Sequence, residues 1–351
     1  MREETNNLAK MEIAKSTCGT KRNIIMLILL LAAGALMAQE ELRRHGMPEF
    51  EAEYPDVHDP VMAQGEDGRF YLFATGMGIQ VLSSDDRKTW REEKSVFGHD
   101  NIPAWAKDSV HGYWGHTWAP DISRHDSLWY LYYSCSTFGK NNSAIGLAVN
   151  RTLDPTSPLF GWEDRGCVVT SRRQRNNWNA IDPNLYVTDD GHNWLTYGSF
   201  WDGIQLVELA SDRQTPLGRP VTIARRRAPG MEQENAIEAP FIIKIGKWYY
   251  LLVSFDYCCK GSNSTYKTVY GRSRSIEGPY KDRDGADMTQ GGGTLLVGPD
   301  ERFYGVGHCA AYKIGKEWYF IAHAYDSNRQ ARAKLYQRKL IVRKGWLEFG
   351  E

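Results

Sequence analysis

A pattern of about sixty residues occurs five times along this chain, and it constrains the fold more than any other feature. Each copy begins with a short polar motif that contains Pro or Gly, and an aromatic-rich strand follows after a turn. The motifs are HDPVM (58–62), WAPDI (118–122), IDPNLY (181–186), EAPFII (238–243) and GHCAAY (307–312). The strands are RFYLFAT (69–75), LWYLYYS (128–134), NWLTYGS (193–199), KWYYLLVS (247–254) and EWYFIAH (317–323).

The spacing of these motifs predicts the fold class. From Asp59 to Asp121, Asp182, Glu238 and His308 the successive steps are 62, 61, 56 and 70 residues. Segments with helical periodicity are nearly absent, and each repeat has room for about four short strands bounded by Gly, Asp and Asn turns. Repeats of this kind bury their sheet faces against their neighbours, so the sequence predicts an all-β, five-bladed β-propeller in a single domain, residues 39–351.

The first 38 residues are predicted to be a signal peptide. The apolar run 24–38 follows Lys21 and Arg22 and closes with small residues up to Ala38. About 15 apolar residues are too few for a membrane span and are typical of a secretory signal. We therefore expect an exported protein, periplasmic or extracellular, without stable membrane insertion after cleavage. Translation could begin at Met1 or at Met11.

The composition limits the kinds of partner that this chain is expected to bind. The chain has 43 basic and 43 acidic residues, so its charge gives no reason to expect nucleic acid. The 12 Trp, 19 Tyr and 12 Phe favour strands, and they serve either as sugar-stacking surfaces or as packing between sheets. Five cysteines follow the signal segment, an odd number that leaves at least one thiol free. The adjacent Cys258 and Cys259 form either a vicinal disulfide or two thiols.

Equivalent positions of the repeats are expected to converge at the mouth of a central channel. This brings together Asp59, Asp182, Glu238 and His308, whereas Asp121 follows Pro and is expected to brace a strand. A single Asp-Pro or Glu-Ala-Pro motif is usually just the start of a turn. Recurrence in successive repeats favours a shared pocket instead.

The carboxyl groups suit glycoside hydrolysis, which needs one protonated and one ionised carboxyl group beside the scissile bond. Apolar neighbours are expected to raise the pKa of Glu238, which makes it the general acid. Asp59 is expected to stay ionised as general base, and Asp182 to raise the pKa of the acid. His308 could hold a Ca²⁺ ion whose shell is completed by water, or it could be a hydrogen-bonded histidine of the channel.

Several longer motifs resemble family 43 glycoside hydrolases, and in particular their endo-1,5-α-L-arabinanases. They are HTWAPDI (116–122), YYSCSTFGKNNSAIGLAVN (132–150), NAIDPNLY (179–186), YGSFWDGI (197–204) and the long segment 238–280 that contains CCKGSNSTY. The resemblance runs from Tyr54 to Trp346. It implies inverting hydrolysis of internal α-1,5 bonds of arabinan, with Asp59 as base, Glu238 as acid and Asp182 as pKa modulator.

The same resemblance implies the remaining site residues and partners. The implied substrate contacts are Trp118, Phe138, Asn179, Ala180, Ile181, Ser199, Phe200 and Trp201, although core packing is an alternative for the two Phe residues. His308 would bind the calcium. Arabinan and arabino-oligosaccharides would be the partners of a monomeric protein.

The sequence leaves other activities open. The residues after His308 read CAAY, and the last repeat carries an additional loop around residues 290–305. Loops at the channel decide between endo and exo action, so an exo-acting α-L-arabinofuranosidase or β-xylosidase is an alternative. A non-catalytic sugar-binding propeller is a third, which the three carboxylates argue against.

Overall fold

The computed structural model describes residues 55–98, 101–228, 230–232 and 234–350. The predicted signal peptide lies outside the described residues. Among the residues described, no helix is long and apolar enough to cross a membrane. The described residues belong to one compact unit.

Strands dominate the described residues and form five antiparallel units of four. The first contains β1 (Val61–Gln64), β2 (Phe70–Ala74), β4 (Gln80–Ser84) and β5 (Arg91–Glu93). The second contains β6 (His116–His125), β7 (Leu128–Cys135), β8 (Ser143–Asn150) and β9 (Glu163–Ser171), and its first strand also pairs with the short β3 (Gly76–Met77). The third contains β10 (Asn184–Val187), β11 (Asn193–Tyr197), β12 (Ile204–Leu209) and β13 (Val221–Ala224).

The last two units are joined at one point. The fourth contains β14 (Ile237–Ile245), β15 (Trp248–Phe255), β16 (Lys267–Ser273) and β17 (Thr294–Val297). The fifth contains β18 (Phe303–Ile314), β19 (Glu317–Asp326), β20 (Arg332–Arg343) and β21 (Trp346–Phe349). A single parallel pairing, Lys267 with Val306, links them. Helical structure in the described residues is limited to α1 (Ala104–Ser109) and the 3-10 turns Gly261–Asn263, Met288–Gln290 and Ser327–Arg329.

The first strands of the five units surround one space. Strand β1 contacts β6, β6 contacts β10, β10 contacts β14, β14 contacts β18, and β18 contacts β1 again. All five line a cavity of about 420 Å³. The chain also closes on itself, since the Leu335 N–H donates to the Pro55 carbonyl (2.9 Å) and Asp56 pairs with Lys334.

Aromatic and branched side chains pack between neighbouring units, as their strand propensity predicts. One buried cluster joins Tyr132 and Ile145 of the second unit to Leu195 of the third. Another joins Leu206 of the third unit to Leu251 of the fourth. Much of the aromatic content therefore serves the core.

Candidate active site

A kink at the same place of each repeat forms the frame of the site; it lies within the first strand of the second, fourth and fifth units and two residues before that strand in the first and third. At this place one residue per unit has a left-handed backbone, with φ between 45° and 58°. These residues are Asp59, Ala119, Asp182, Ala239 and His308. The pairing registers of β6, β14 and β18 shift at this point, as expected of a β-bulge. Bulges redirect side chains, and here they do so at one end of the shared space.

The positions of the kinks show that the residues aligned by the sequence repeat are not all structurally equivalent. Asp59, Asp182 and His308 occupy equivalent left-handed positions, as the repeat predicted. Glu238 does not, because it precedes the left-handed Ala239 and pairs directly with Ser254 of the next strand. Asp121 lies two residues beyond Ala119. The spacing of the sequence motifs did not reveal that Glu238 and Asp121 are displaced from the kinked position, because a bulge is defined by backbone conformation and not by residue count.

Asp121 has the bracing role expected of it. Its carboxylate is buried and accepts hydrogen bonds from the Asn184 side chain (3.2 Å) and the Leu185 N–H (2.8 Å). The second and third units are thereby tied together. Burial raises the pKa of Asp121 to about 7.

At four of the five junctions a side chain of the neighbouring unit fixes the kinked backbone. The N–H of the left-handed residue donates to a polar atom at the end of the second strand of the preceding unit. The pairs are Ala119 with Thr75 Oγ1 (2.8 Å), Asp182 with Ser134 Oγ (3.0 Å), His308 with Ser254 Oγ (2.8 Å) and Asp59 with His323 Nδ1 (3.1 Å). The last pair joins the first unit to the fifth. Hydrogen bonds between units therefore hold the site residues in position.

The junction between the third and fourth units is the exception. Gly198 occupies the equivalent position there and has no side chain to offer. A Cβ on Gly198 would lie 2.4 Å from the Gly203 carbonyl oxygen, and its φ is +134°. The Ala239 N–H donates instead to Asp182 Oδ2 (3.1 Å). Since Ala239 directly follows Glu238, this bond places Asp182 beside the predicted acid.

Asp59 is surrounded by donors. Its Oδ1 lies 2.8 Å from His58 Nδ1 and 3.1 Å from His308 Nδ1, and its Oδ2 accepts from the Thr75 hydroxyl (2.6 Å). His323 Nδ1 also lies 3.3 Å from Oδ1, but it accepts the Asp59 N–H and is not a donor to the carboxylate. Burial alone would raise the pKa of Asp59. The positive charges of His308 and His58, with the hydrogen bonds, outweigh burial and hold that pKa well below its ordinary value. Asp59 is therefore ionised.

Glu238 lies in the opposite kind of environment. Its Oε2 accepts from Ser199 Oγ (2.8 Å) and its Oε1 from Tyr266 OH (2.9 Å). Burial raises the pKa of Glu238 despite these two bonds. Burial also raises the pKa of Asp182 to about 8, and the charge on Glu238 adds to this.

Tyr266 and His323 connect the two environments. The buried Tyr266 ring stacks on His323 with centroids 5.8 Å apart, while its hydroxyl group holds Glu238. His323 in turn receives the N–H of Asp59. Burial lowers the pKa of His323 to about 3, so that this histidine is neutral and can accept at Nδ1. An ionised carboxylate and a carboxyl pair of raised pKa thus share one site.

His308 has the features of a metal-binding histidine. Its Nδ1 faces Asp59, and its Nε2 has no hydrogen-bond partner among the described residues. A carboxylate on one ring nitrogen is the usual support for a histidine that ligates metal through the other. Burial would lower its pKa, but the charges of Asp59, Asp182 and Glu238 raise it to about 9, so a metal ion would have to displace a proton.

A second group with suitable donors is His58, Asp59 and His323. The His58 Nδ1 is already committed to Asp59 at 2.8 Å. Although burial would lower it, the charge of Asp59 raises the pKa of His58 to about 10, and a protonated imidazole has no lone pair for a metal. We assign no metal to this group.

The predicted stacking residues differ in their exposure. Phe138 is 78% exposed and Trp201 is 37% exposed, so both rings are open to a ligand. Trp118 is half-buried, and its indole N–H donates to His116 Nδ1 (2.8 Å). Phe200 is half-buried against Tyr257, with centroids 6.0 Å apart.

The other predicted substrate contacts are buried. Asn179 Oδ1 accepts from the Ser143 hydroxyl (2.7 Å), while Ala180 packs in the cluster between the second and third units. Ile181 is 8% exposed and directly precedes Asp182. Ser199 is buried and contacts Glu238 itself. Their contact with substrate stays a prediction.

Four side chains of the site escaped the sequence analysis. They are His58, Thr75, Tyr266 and His323. A signal was present for Thr75 and His323, because the aromatic strands end in Thr75, Ser134, Ser254 and His323 at equivalent positions. A polar residue at the end of an otherwise apolar strand indicates a buried hydrogen bond.

Comparisons with known proteins agree with this geometry. The family "Glycosyl hydrolases family 43" matches residues 54–347. An extracellular exo-alpha-(1->5)-L-arabinofuranosidase of Cellvibrio japonicus is 47% identical over 298 residues, covering 83% of this chain and 84% of the relative. An extracellular endo-alpha-(1->5)-L-arabinanase of Bacillus subtilis is 41% identical over 295 residues, covering 83% and 86%. The crystal structure of an exo-1,5-alpha-L-arabinanase from a bovine ruminal metagenomic library has a TM-score of 0.83 at 55% identity, covering 87% of this chain and 100% of that chain.

A carboxyl group of lowered pKa beside carboxyl groups of raised pKa is what glycoside hydrolysis requires, and the matching family and relatives identify the chain as a glycoside hydrolase. The chain belongs to family 43 of the glycosyl hydrolases. The resemblance expected from its motifs is thereby confirmed at the level of the family.

Proposed function

We propose that this protein hydrolyses the α-1,5 bonds of arabinan with inversion, with Glu238 as general acid, Asp59 as general base and Asp182 as pKa modulator. The observation that carries the proposal is the opposite displacement of the carboxyl pKa values within one site, lowered at Asp59 and raised at Glu238 and Asp182. Pairs of carboxyl groups with separated pKa values mark acid and base assignments in glycosidases.

Each residue has a defined task in this reaction. Glu238, positioned by Ser199 and Tyr266, donates its proton to the oxygen of the leaving sugar. Asp59 stays ionised among its histidines and removes a proton from the attacking water. Asp182 is fixed next to Glu238 through the Ala239 N–H. Direct attack by water inverts the anomeric centre, and NMR of the first product formed tests this stereochemistry.

The substrate class is supported by the relatives, whose names specify an exo-α-(1→5)-L-arabinofuranosidase and an endo-α-(1→5)-L-arabinanase. Of the three similar proteins described above, the two named as exo-acting are 47% and 55% identical to this chain and the one named as endo-acting is 41% identical; the Aspergillus relatives named as endo-acting are 34–35% identical. These identities favour exo release over the endo action that the sequence motifs predicted. The exo-acting enzyme is therefore our first candidate, and the endo-arabinanase our second.

A product time course on linear debranched arabinan separates the two modes. Exo action gives one small product from the start, whereas endo action gives a mixture of oligosaccharides early. Glu238→Gln should slow release about 10²–10⁴-fold in either case. Hydrolysis that persists unchanged in Glu238→Gln would contradict the catalytic assignment, and wild-type binding of arabinan without any turnover would favour a sugar-binding propeller.

We further propose that the five units are the blades of a closed five-bladed propeller. The support is the cyclic contact of the first strands around one cavity, together with the pairing of residues 55–57 with β20. The apolar run 24–38 and the extracellular relatives support export through a signal peptide. Mass spectrometry of the secreted protein tests cleavage after Ala38, and sedimentation tests the expected monomer.

We propose that His308 holds a calcium ion through Nε2, with water completing the coordination shell. A bound ion would supply positive charge beside the three carboxyl groups. The chain supports it by directing His308 Nδ1 at Asp59 and by fixing the His308 backbone on Ser254. Calorimetric titration of calcium into the wild type and His308→Gln tests this independently of activity.

A further inference from the structure

Beside the site lies a group of nucleophilic and basic side chains that the proposed reaction does not use. Cys258 and Cys259 are both free thiols, and Cys259 is exposed. Cys259 Sγ lies 3.8 Å from His58 Nε2, and His58 Nδ1 lies 2.8 Å from Asp59 Oδ1. Thiol, imidazole and carboxylate therefore stand in line, the arrangement that activates cysteine nucleophiles.

The backbone holds the thiol in this position. Cys259 has a left-handed backbone (φ 63°), and its N–H donates to Tyr325 OH (2.8 Å). The same hydroxyl group lies 3.0 Å from His58 Nε2. The distance between thiol and imidazole is thus fixed by strand β19 and not by a free loop.

The chain contains a second exposed thiol in a different environment. Cys167 also lies at the surface, but its thiol makes only a weak hydrogen bond of 3.8 Å, to the Val169 carbonyl, within the described part of the chain. Burial raises the pKa of Cys167 to about 11. At Cys259 a hydrogen bond from the Cys258 thiol and the neighbouring His58 lower the pKa to about 5. The two thiols form an internal pair for comparison.

We propose that Cys259 is a modification site for low-molecular-weight disulfides, and that the resulting adduct closes the glycosidase site. The Cys259 thiolate attacks one sulfur of the disulfide, a new S–S bond forms, and the other half leaves as a thiolate, which takes up a proton from solvent. No further oxidant is needed, because the small disulfide is reduced as Cys259 is oxidised.

The position of the adduct explains why it would close the glycosidase site. A group on Cys259 Sγ stands against His58, one side chain away from the proposed base Asp59. It removes the negative charge that faces His58 and occupies the space in front of it. This consequence rests on the proposed function, whereas the reactivity of the thiol does not.

The test uses the intact protein and an aromatic disulfide, 5,5′-dithiobis(2-nitrobenzoate), slightly below neutral pH. Cys259 should react about 100-fold faster than Cys167, since its larger thiolate fraction outweighs its lower intrinsic nucleophilicity. Rates come from release of the coloured thiolate in Cys259→Ser and Cys167→Ser, with peptide mapping to locate the label. His58→Gln should slow the labelling of Cys259 and leave that of Cys167 unchanged.

Hydrolysis of arabinan should fall in step with the labelling of Cys259 and return on reduction with dithiothreitol. Cys259→Ser should hydrolyse normally and resist the reagent, while Cys167→Ser should remain sensitive. Labelling of Cys259 no faster than that of Cys167, or full activity of the labelled protein, would overturn the proposal. Fast labelling in a protein that never hydrolyses arabinan would refute the proposed function and overturn site closure, yet still establish the reactive thiol.

Discussion

Tyr266→Phe should move the alkaline limb of the pH–rate profile to higher pH. The Tyr266 hydroxyl donates to Glu238 Oε1 at 2.9 Å, and this bond stabilises the ionised carboxylate. Without it the pKa of Glu238 rises further. A general acid works only while protonated, so activity would persist to higher pH than in the wild type.

The size of the shift follows from the bond that is lost. A hydrogen bond to a charged group contributes about 1.5–3 kcal/mol, and one pKa unit corresponds to about 1.36 kcal/mol. Because Ser199 still donates to the other oxygen, we expect the lower end of this range, about one pH unit. The fully buried ring keeps its stacking on His323, so phenylalanine leaves no cavity.

The assay is kcat/KM against pH on a short arabino-oligosaccharide. Tyr280→Phe is the matched control, because Tyr280 is equally buried and its hydroxyl group donates to the Ile276 carbonyl (2.7 Å), outside the group of residues around the three carboxyls. That variant should keep the wild-type profile. An alkaline limb that stays in place in Tyr266→Phe, or moves to lower pH, would refute the assignment of Glu238 as the acid.

Four further outcomes follow from the same geometry. Glu238→Gln should lower kcat about 10²–10⁴-fold without changing the melting temperature at neutral pH, as measured on arabinan and by calorimetry. The folded-state pKa of Asp182, about 8 against an ordinary 3.8, means that the wild type loses stability as pH rises through this window. Asp182→Asn should lose less stability, so the melting temperature of the variant should rise relative to that of the wild type as the pH increases from 3.8 to about 8. A difference in melting temperature that stays constant over this range would contradict the raised pKa of Asp182. Calcium should raise the melting temperature of the wild type but not that of His308→Gln. If calcium changes both melting temperatures equally, His308 is a hydrogen-bonded histidine and not a calcium ligand. Gly198→Ala should lower the denaturation midpoint, since its Cβ would lie 2.4 Å from the Gly203 oxygen at a φ of +134°.

Local patterns predicted the strands of this fold. Aromatic-rich runs such as LWYLYYS and KWYYLLVS became β7 and β15 because their side chains are buried between sheets. Strand propensity and burial act on neighbouring residues, so a sequence window contains the information. The five repeats appear as five four-stranded units for the same reason.

The contacts around Asp59 could not be predicted in this way. His323 lies 264 residues away from Asp59 along the chain, and it reaches Asp59 only because the last unit meets the first. Tyr266 lies between them in sequence and meets both Glu238 and His323 only in the folded chain. A motif search finds the carboxylates, whereas the groups that set their pKa values depend on how separate units pack.

The unusual junction at Gly198 explains the position of Asp182. At the other four junctions a hydroxyl group or an imidazole of the preceding unit accepts the N–H of the kinked residue. A buried N–H left without an acceptor costs about 1–3 kcal/mol, so the fourth unit needs another partner. The carboxyl group of Asp182 takes this role by accepting from the Ala239 N–H, and Ala239 directly follows Glu238. One hydrogen bond required by the fold therefore fixes the two acids relative to each other. Burial raises the pKa of both, and the charge of Glu238 adds to the rise at Asp182.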